Sequence, residues 1–524
     1  MATLQIQVIK TLVMNEVKLR SRRLSTLVVL ILIAVLARLI FGAGDSNMSL
    51  LVINQARTVY NSSSLALGTA CLFAPLLGLL SFYLTRGRIA EDARCGIGAV
   101  IASTRIGNGT FIFSRWLGAV AYLLLILLAY MITIIALQIA RGESAVQLIV
   151  YLKVYGLVLL PVIFFGASCA ILFDSVPLLM GKAGDVIYFF VWVFEVSMLD
   201  KVGHDRVSSM PPIMILEGLG MTIVDFVVRT QFTVQSISIG LGTFNPNLPA
   251  NVIELAQIPN TILQYRAITT LLSFIPMLLA IPLFHRFSPD KIKLSNIRKR
   301  RTPFEIVNAW LRPVSRLAKP FFRFAAKTPN FAGQVVAEVA VTLVNSPLAI
   351  IAMIAFSFFA AIMNVNNLAG ILTFACALWG VLISDLSTRD HQAQLSAMGD
   401  TVMGGADRRY LRQFAASVLL GFMLFGVVLY RWSFQAPHFA LALLVGLLFM
   451  SALASMLGRL TRTARTFLGP FMFWFYLAIQ TKGAPYFDVL AFNKSASNNS
   501  ILLYTEIGVA ALILGFAYNR YQAR

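Results

Sequence analysis

Apolar runs of about twenty residues recur from one end of this chain to the other. They constrain its fold more than any other feature. Stretches such as "YLLLILLAYMITIIAL" and "LALLVGLLFMSALASML" form the cores of such runs, and roughly 20 apolar residues cross a hydrocarbon core about 30 Å thick as a helix. In that medium a spanning segment must satisfy its own backbone, which leaves helices or closed barrels. Of the 524 residues 58% are hydrophobic and only 12% are charged. A soluble domain has roughly a quarter charged residues. The sequence therefore predicts an all-α polytopic membrane protein. Its first run, from Leu24, follows a charged stretch and reads as a retained span, not a cleaved signal.

Twelve spans are predicted, centred near Ile33, Leu76, Ile126, Pro161, Trp192, Met277, Phe356, Leu378, Phe422, Leu447, Trp474 and Ala511. The net charge of +21 would suggest nucleic acid in a soluble protein. Here the basic residues cluster between spans, as cytoplasmic loops do, so no nucleic-acid partner is expected. Arg86, Arg88, Arg94, Arg105 and Arg115, the stretch "KIKLSNIRKRR", and Arg389, Arg408, Arg409 and Arg412 all fall on one side if both termini are cytoplasmic. Four scattered cysteines and four scattered histidines give neither a disulfide framework nor a metal site.

The chain repeats itself weakly. Glu16-Val17 and Glu338-Val339 each stand shortly before an apolar run. A polar, Gly-containing segment follows spans two and eight, and each ends with an arginine entering a long apolar helix, Arg115 and Arg412. Spans five and eleven share "VWVF" and "FWFY", which include Trp192 and Trp474. Both halves would start inside, giving two parallel six-helix repeats. The expected organisation is a first half over 1–288, a basic cytoplasmic linker over 289–329 and a second half over 330–524. The long segment 200–265 is expected to form a partly helical outer cap.

Residues before span one read as an amphipathic helix, with Leu4, Val8, Ile9, Leu12, Val13, Val17 and Leu19 on one wide face, which suits a helix lying in the interface. Glu16 falls in the middle of that apolar face, and Glu338 holds the matching place before span seven. A carboxylate there needs a basic partner or an N–H donor. Glu195, in the short fifth span, should face a cavity or pair with a base. With Trp192 and Trp474 it marks a candidate substrate path.

The segment "EDARCGIGAVIASTRIGNGTFIFSRWLG", the interfacial helix and the long outer segment together resemble the permeases of type-2 ABC exporters. In that family a short cytoplasmic helix between spans two and three couples the permease to its ATPase. The second-half counterpart, "DHQAQLSAMGDTVMGGADRRY", is similar but lacks the starting glutamate. The resemblance implies export. A path between the halves lined by apolar and aromatic side chains would suit a hydrophobic or amphipathic substrate, and with no ER-retrieval or lipidation signal a bacterial inner membrane is expected. The resemblance implies two ABC-type ATPase subunits, with ATP and Mg bound by them, and allows a periplasmic accessory protein. It implies coupling contacts at Glu91, Asp92, Arg94 and Arg105, and at Asp400, Asp407 and Arg408. The sequence has no G-x-x-x-x-G-K-[ST] phosphate cradle, so this chain is read as binding no cofactor and as no enzyme itself. The rival reading is a twelve-span secondary transporter driven by an ion gradient. Its usual mid-membrane acids are scarce here.

Overall fold

In a computed structural model of the chain, the described residues are 2–40, 48–198, 215–255, 258, 260–287, 311, 313–393, 405–481 and 483–523. The chain divides into two compact units, Met1–Thr302 and Pro303–Arg524. That boundary falls inside the basic stretch expected as a linker, whose residues 289–310 lie outside the described ones.

The first unit opens with α1 (Ala2–Ser21) and α2 (Leu24–Ile40), then a hairpin of β1 (Met48–Ile53) and β2 (Ala56–Arg57). Next come α3 (Ser62–Thr85), two short helices α4 (Arg88–Arg94) and α5 (Ile97–Ser103), and the long α6 (Asn108–Arg141) and α7 (Leu148–Ser175). The unit continues through α8 (Lys182–Ser197), α9 (Met221–Gln231), β3 (Ile237–Thr243), α10 (Asn260–Leu272) and α11 (Ile275–Leu283). The second unit holds a 3-10 turn (Val314–Ala318), then α12 (Lys319–Lys327), α13 (Asn330–Asn345), α14 (Pro347–Ile362) and α15 (Ala369–Ile383). After these come α16 (Arg389–Gln392), α17 (Gly405–Gln435), α18 (Pro437–Thr461), α19 (Arg465–Gln480) and α20 (Asn498–Ala523).

The protein is a multi-pass membrane protein: seven described helical segments are long and apolar enough to cross a bilayer. An eighth counts if α13 and α14, bent by 103° at Ser346, are taken as one span. Each of the twelve expected centres lies inside a helix. The shorter ones, such as the 16-residue α8 and α19, rise only about 24 Å.

Glycines set the close approaches within each unit. In the first, Gly78 of α3 lies under the Trp192 indole of α8, where a Cβ would come within 3.1 Å of the ring. The indole N–H donates to the Pro75 carbonyl at 2.9 Å. Gly166 of α7 receives Ser81 of α3 against its bare Cα. In the second unit Gly380 of α15 takes the ring of Phe471 from α19, and Gly458 of α18 takes Ser387.

Among the described residues the structure departs from an all-helical architecture at a small sheet. β1 is the middle strand of a three-stranded antiparallel sheet ordered β2-β1-β3, with Val52 opposite Arg57 and Ile53 opposite Ile237. The turn at Asn54-Gln55 has φ of 50° and 65°, both left-handed, as a two-residue hairpin needs. Sheet residue Leu50 seats on Gly68 of α3. So part of the expected cap is a strand, and another part is α9, whose 11 residues are too short to cross.

A buried arginine joins this segment to the helices. Pro161 inside α7 lacks an N–H, which leaves the Leu157 carbonyl without its helical donor. Arg266 of α10 supplies one: Nε donates to Leu157 O at 2.6 Å and Nη2 to Val158 O at 2.8 Å. The same guanidinium donates to the carbonyls of Glu217 and Gly218, both at 2.9 Å. Glu217 in turn accepts from Met221 N at 2.8 Å and Thr222 Oγ1 at 2.7 Å. It thereby satisfies donors at the start of α9, where a negative charge is favoured.

Arg266→Ala is expected to lower thermal stability in detergent by about 2–4 kcal/mol, because it strands buried carbonyls. In a Pro161→Ala background that cost should shrink, since residue 161 then donates to the Leu157 carbonyl. Thermal unfolding of the four proteins in this cycle measures both terms.

Candidate functional site: an arginine–carboxylate cluster

The polar segment between α3 and α6 is folded tightly onto its own unit. Gly87, at φ 88°, turns the chain sharply after α3, a conformation that suits glycine. Its N–H donates to Asp174 Oδ2 at 2.8 Å. The preceding Arg86 is fully buried and meets Asp185 at 2.6 Å and the Gly181 carbonyl at 3.1 Å, pinning the α7–α8 turn. α4 then carries Arg88, Glu91 and Asp92 at i, i+3 and i+4, hence on one face.

That face meets Glu16 of α1. Glu16 is only 1% exposed. Arg20, one turn on, holds Oε1 with Nε at 2.7 Å and Nη2 at 2.6 Å. Arg115, in the second turn of α6, donates to Oε2, and Arg88 Nε stands 3.5 Å from the same oxygen. Arg115 also donates to Asp92, whose other oxygen is 3.0 Å from Arg88. Glu91 bridges Arg88 at 3.1 Å and Arg23 at 2.5 Å. Arg20 further donates to the carbonyls of Leu84 and Thr85 at 2.8 and 2.9 Å, closing the end of α3. Three carboxylates and four guanidiniums thus tie α1, α3, α4 and α6 together. Gly118 makes the approach possible: a Cβ there would sit 2.7 Å from Glu16 Cβ.

Burial pushes the Glu16 carboxyl up, but Arg20, Arg115 and Arg88 together hold it below the ordinary carboxylate value. Without those partners the charge would be strongly unfavourable in such a place.

The second unit places its matching residues in the same order. Glu338 of α13 stands 3.4 Å from Arg412 of α17. Asp390 of α16 accepts from Gln413 at 3.3 Å and lies 3.8 Å from Arg409. Arg389 donates to Thr342 of α13 at 2.7 Å. The version is looser, with the Glu338 side chain 17% exposed against none for Glu16.

The remaining candidates are placed as follows. Asp92 is turned inward, 1% exposed, with its oxygens engaged by Arg88 and Arg115. Glu91 is half-buried and Arg105 exposed; α4 contains Arg94. Asp407 accepts from Asn519 at 3.3 Å, and Arg408 is exposed. Asp400 lies outside the described residues. Trp192 is enclosed against Gly78, and Trp474 donates to the Phe487 carbonyl at 3.0 Å. Glu195 is half-buried with its oxygens 3.0 and 3.3 Å from where a Gly218 Cβ would stand. The structure does not bring these three together as one group within either unit.

Sequence reasoning missed Arg20 and Arg88, although Glu16 and Arg20 stand at i, i+4. It also missed the exposed part of the segment, which is apolar. α5 seats on Phe287 through Gly98, and Arg286 holds the Thr104 carbonyl at 2.7 Å. Its outer face then shows Ile97 and Val100, 46% and 64% exposed. Comparison of the chain with protein-family models, curated proteins and solved structures finds no match.

Glu16→Gln should cost about 3–5 kcal/mol of stability at pH 7, by leaving three arginines around a neutral group. The folded-state value of Glu16 is depressed. Its contribution is therefore complete above the ordinary value of 4.5 and lost as pH falls through the lower folded value. The gap in unfolding midpoint between wild type and Glu16→Gln should be constant from pH 7 to 5 and close below 4.5.

Proposed function

We propose that the chain is the membrane-spanning permease of an ATP-driven ABC exporter, with twelve spans in two parallel six-span halves. Both termini and Arg86–Arg115 face the cytoplasm of a bacterial inner membrane, and the segment holding α9 and β3 faces outside. A hydrophobic or amphipathic substrate moves outward with energy from two separate ATPase subunits, which bind ATP and Mg.

The single observation that carries this reading is the lock between a pre-span acid and an arginine on the third helix of the half. Glu16–Arg115 and Glu338–Arg412 recur in the same chain order. The glycine contacts of Trp192 and Phe471, and of Ser81 and Ser387, recur in that order too. Recurrence at several independent contacts is what an internal repeat produces.

The arrangement also suits transmission of force. α5 is short, wedged by Gly98 on Phe287 and joined by a two-residue turn at Cys95-Gly96 to α4, which grips Glu16 and Arg115. A partner pressing on Ile97 and Val100 therefore displaces α4, α1 and the entry of α6 as one body. Apolar contacts at the centre with charged residues around them match the anatomy of a specific interface. The ion pairs inside the lock are withdrawn from water and so resist screening by salt.

Ile97→Asp combined with Val100→Asp should leave folding and insertion intact, because both side chains point outward. It should abolish co-purification of the ATPase from the native host and reduce ATP-dependent transport at least tenfold. Flux driven by a proton or sodium gradient through the purified chain alone, with no ATPase retained, would overturn the reading in favour of a secondary transporter.

A further inference from the structure

The end of the linker carries a feature that the exporter reading does not use. Residues 306–337 contain no acid but five cations, Arg312, Arg316, Lys319, Arg323 and Lys327. In the 3-10 turn and α12 the last four are exposed. Among the described residues none of these four is within ion-pair distance of a carboxylate. At 100° per residue Lys319, Arg323 and Lys327 share an arc of about 80°. Phe321, Phe322, Phe324 and Ala325 occupy the other side. Leu317, Phe322 and Phe324 are 53%, 40% and 60% exposed.

The surroundings identify what meets this surface. α12 packs beside α13, with Gly333 close against the carbonyls of Ala325 and Thr328. α13 is bent 103° from the apolar α14. With α14 entering the bilayer, α13 lies nearly along its surface, and α12 lies at the same level. A helix with exposed phenylalanines and an unpaired basic ridge at that depth matches a headgroup layer of opposite charge. Each lysine or arginine near an anionic leaflet contributes on the order of fivefold in partition.

We propose that Arg316, Lys319, Arg323 and Lys327 form a binding surface for anionic phospholipid headgroups, with Phe322 and Phe324 seated at the acyl boundary. The surface anchors the start of the second unit to the leaflet. This inference rests on the chain spanning a membrane and is independent of what energises it.

The test uses the full chain with a polarity-sensitive fluorophore at Ala326→Cys in a Cys95→Ser background, reconstituted in nanodiscs. One set contains phosphatidylcholine alone and the other adds phosphatidylglycerol. The expected result is a blue shift, with quenching by nitroxide-bearing lipid, that depends on phosphatidylglycerol. Lys319→Gln, Arg323→Gln and Lys327→Gln together should weaken that dependence on the order of 100-fold, the product of three such contributions. A second variant exchanging lysine and arginine at the same three positions keeps the charge and must keep the response. Three outcomes overturn the proposal. They are a probe that stays in water in both lipids, a glutamine variant with undiminished lipid dependence, and burial of the probe only on adding a soluble ATPase. The last would assign the face to protein.

Discussion

A carboxylate on the apolar side of a helix is tolerable only if cations come to it. Glu16 is such a group, and the architecture around it follows from that need. Arg20 comes from its own helix, Arg88 from the short helix after α3, and Arg115 from the start of α6. Asp92 then offsets part of the surplus positive charge. Removing one partner leaves uncompensated charge in a buried site, so no one contact of the cluster can be lost without stranding a charge.

Rigidity at this place decides what the polar segment can do. Arg86 fastens one end of it to the α7–α8 turn, and Phe287 with Arg286 fastens the other to the end of α11. What is left exposed is a small apolar helix face and a few charges. In the proposed exporter, that face receives the motion and the cluster delivers it to α6. Two of the charges in this segment, Glu91 and Asp92, are engaged in ion pairs within the unit.

The membrane class was legible because apolar runs of the required length have few other uses. The helical face of α1 was legible from its period. So was the need of Glu16 and Glu338 for partners, since carboxylates on an apolar face must be compensated. The identity of those partners was less so. Arg115 stands 99 positions from Glu16, and no local pattern foretells a contact at that separation. The sheet was hidden for a related reason: β1 and β3 are short, lie nearly 200 positions apart, and sit among stronger helical signals. The role of Arg266 was legible only in hindsight from Pro161, because a missing donor shows in the sequence but the side chain that replaces it does not. The burial of Asp92 was not legible because a charged residue in a loop is ordinarily solvated, and only packing reveals that it points inward.

The central claim is that Glu16 and Arg115 act as one unit in holding α1 to α6. A double-mutant cycle on thermal unfolding of the purified chain tests it most directly, with Glu16→Gln, Arg115→Gln and the pair. The account predicts strong non-additivity, a coupling of about 2 kcal/mol or more between residues in direct contact. Losses that add to within about 0.5 kcal/mol, as distant sites do, would contradict it.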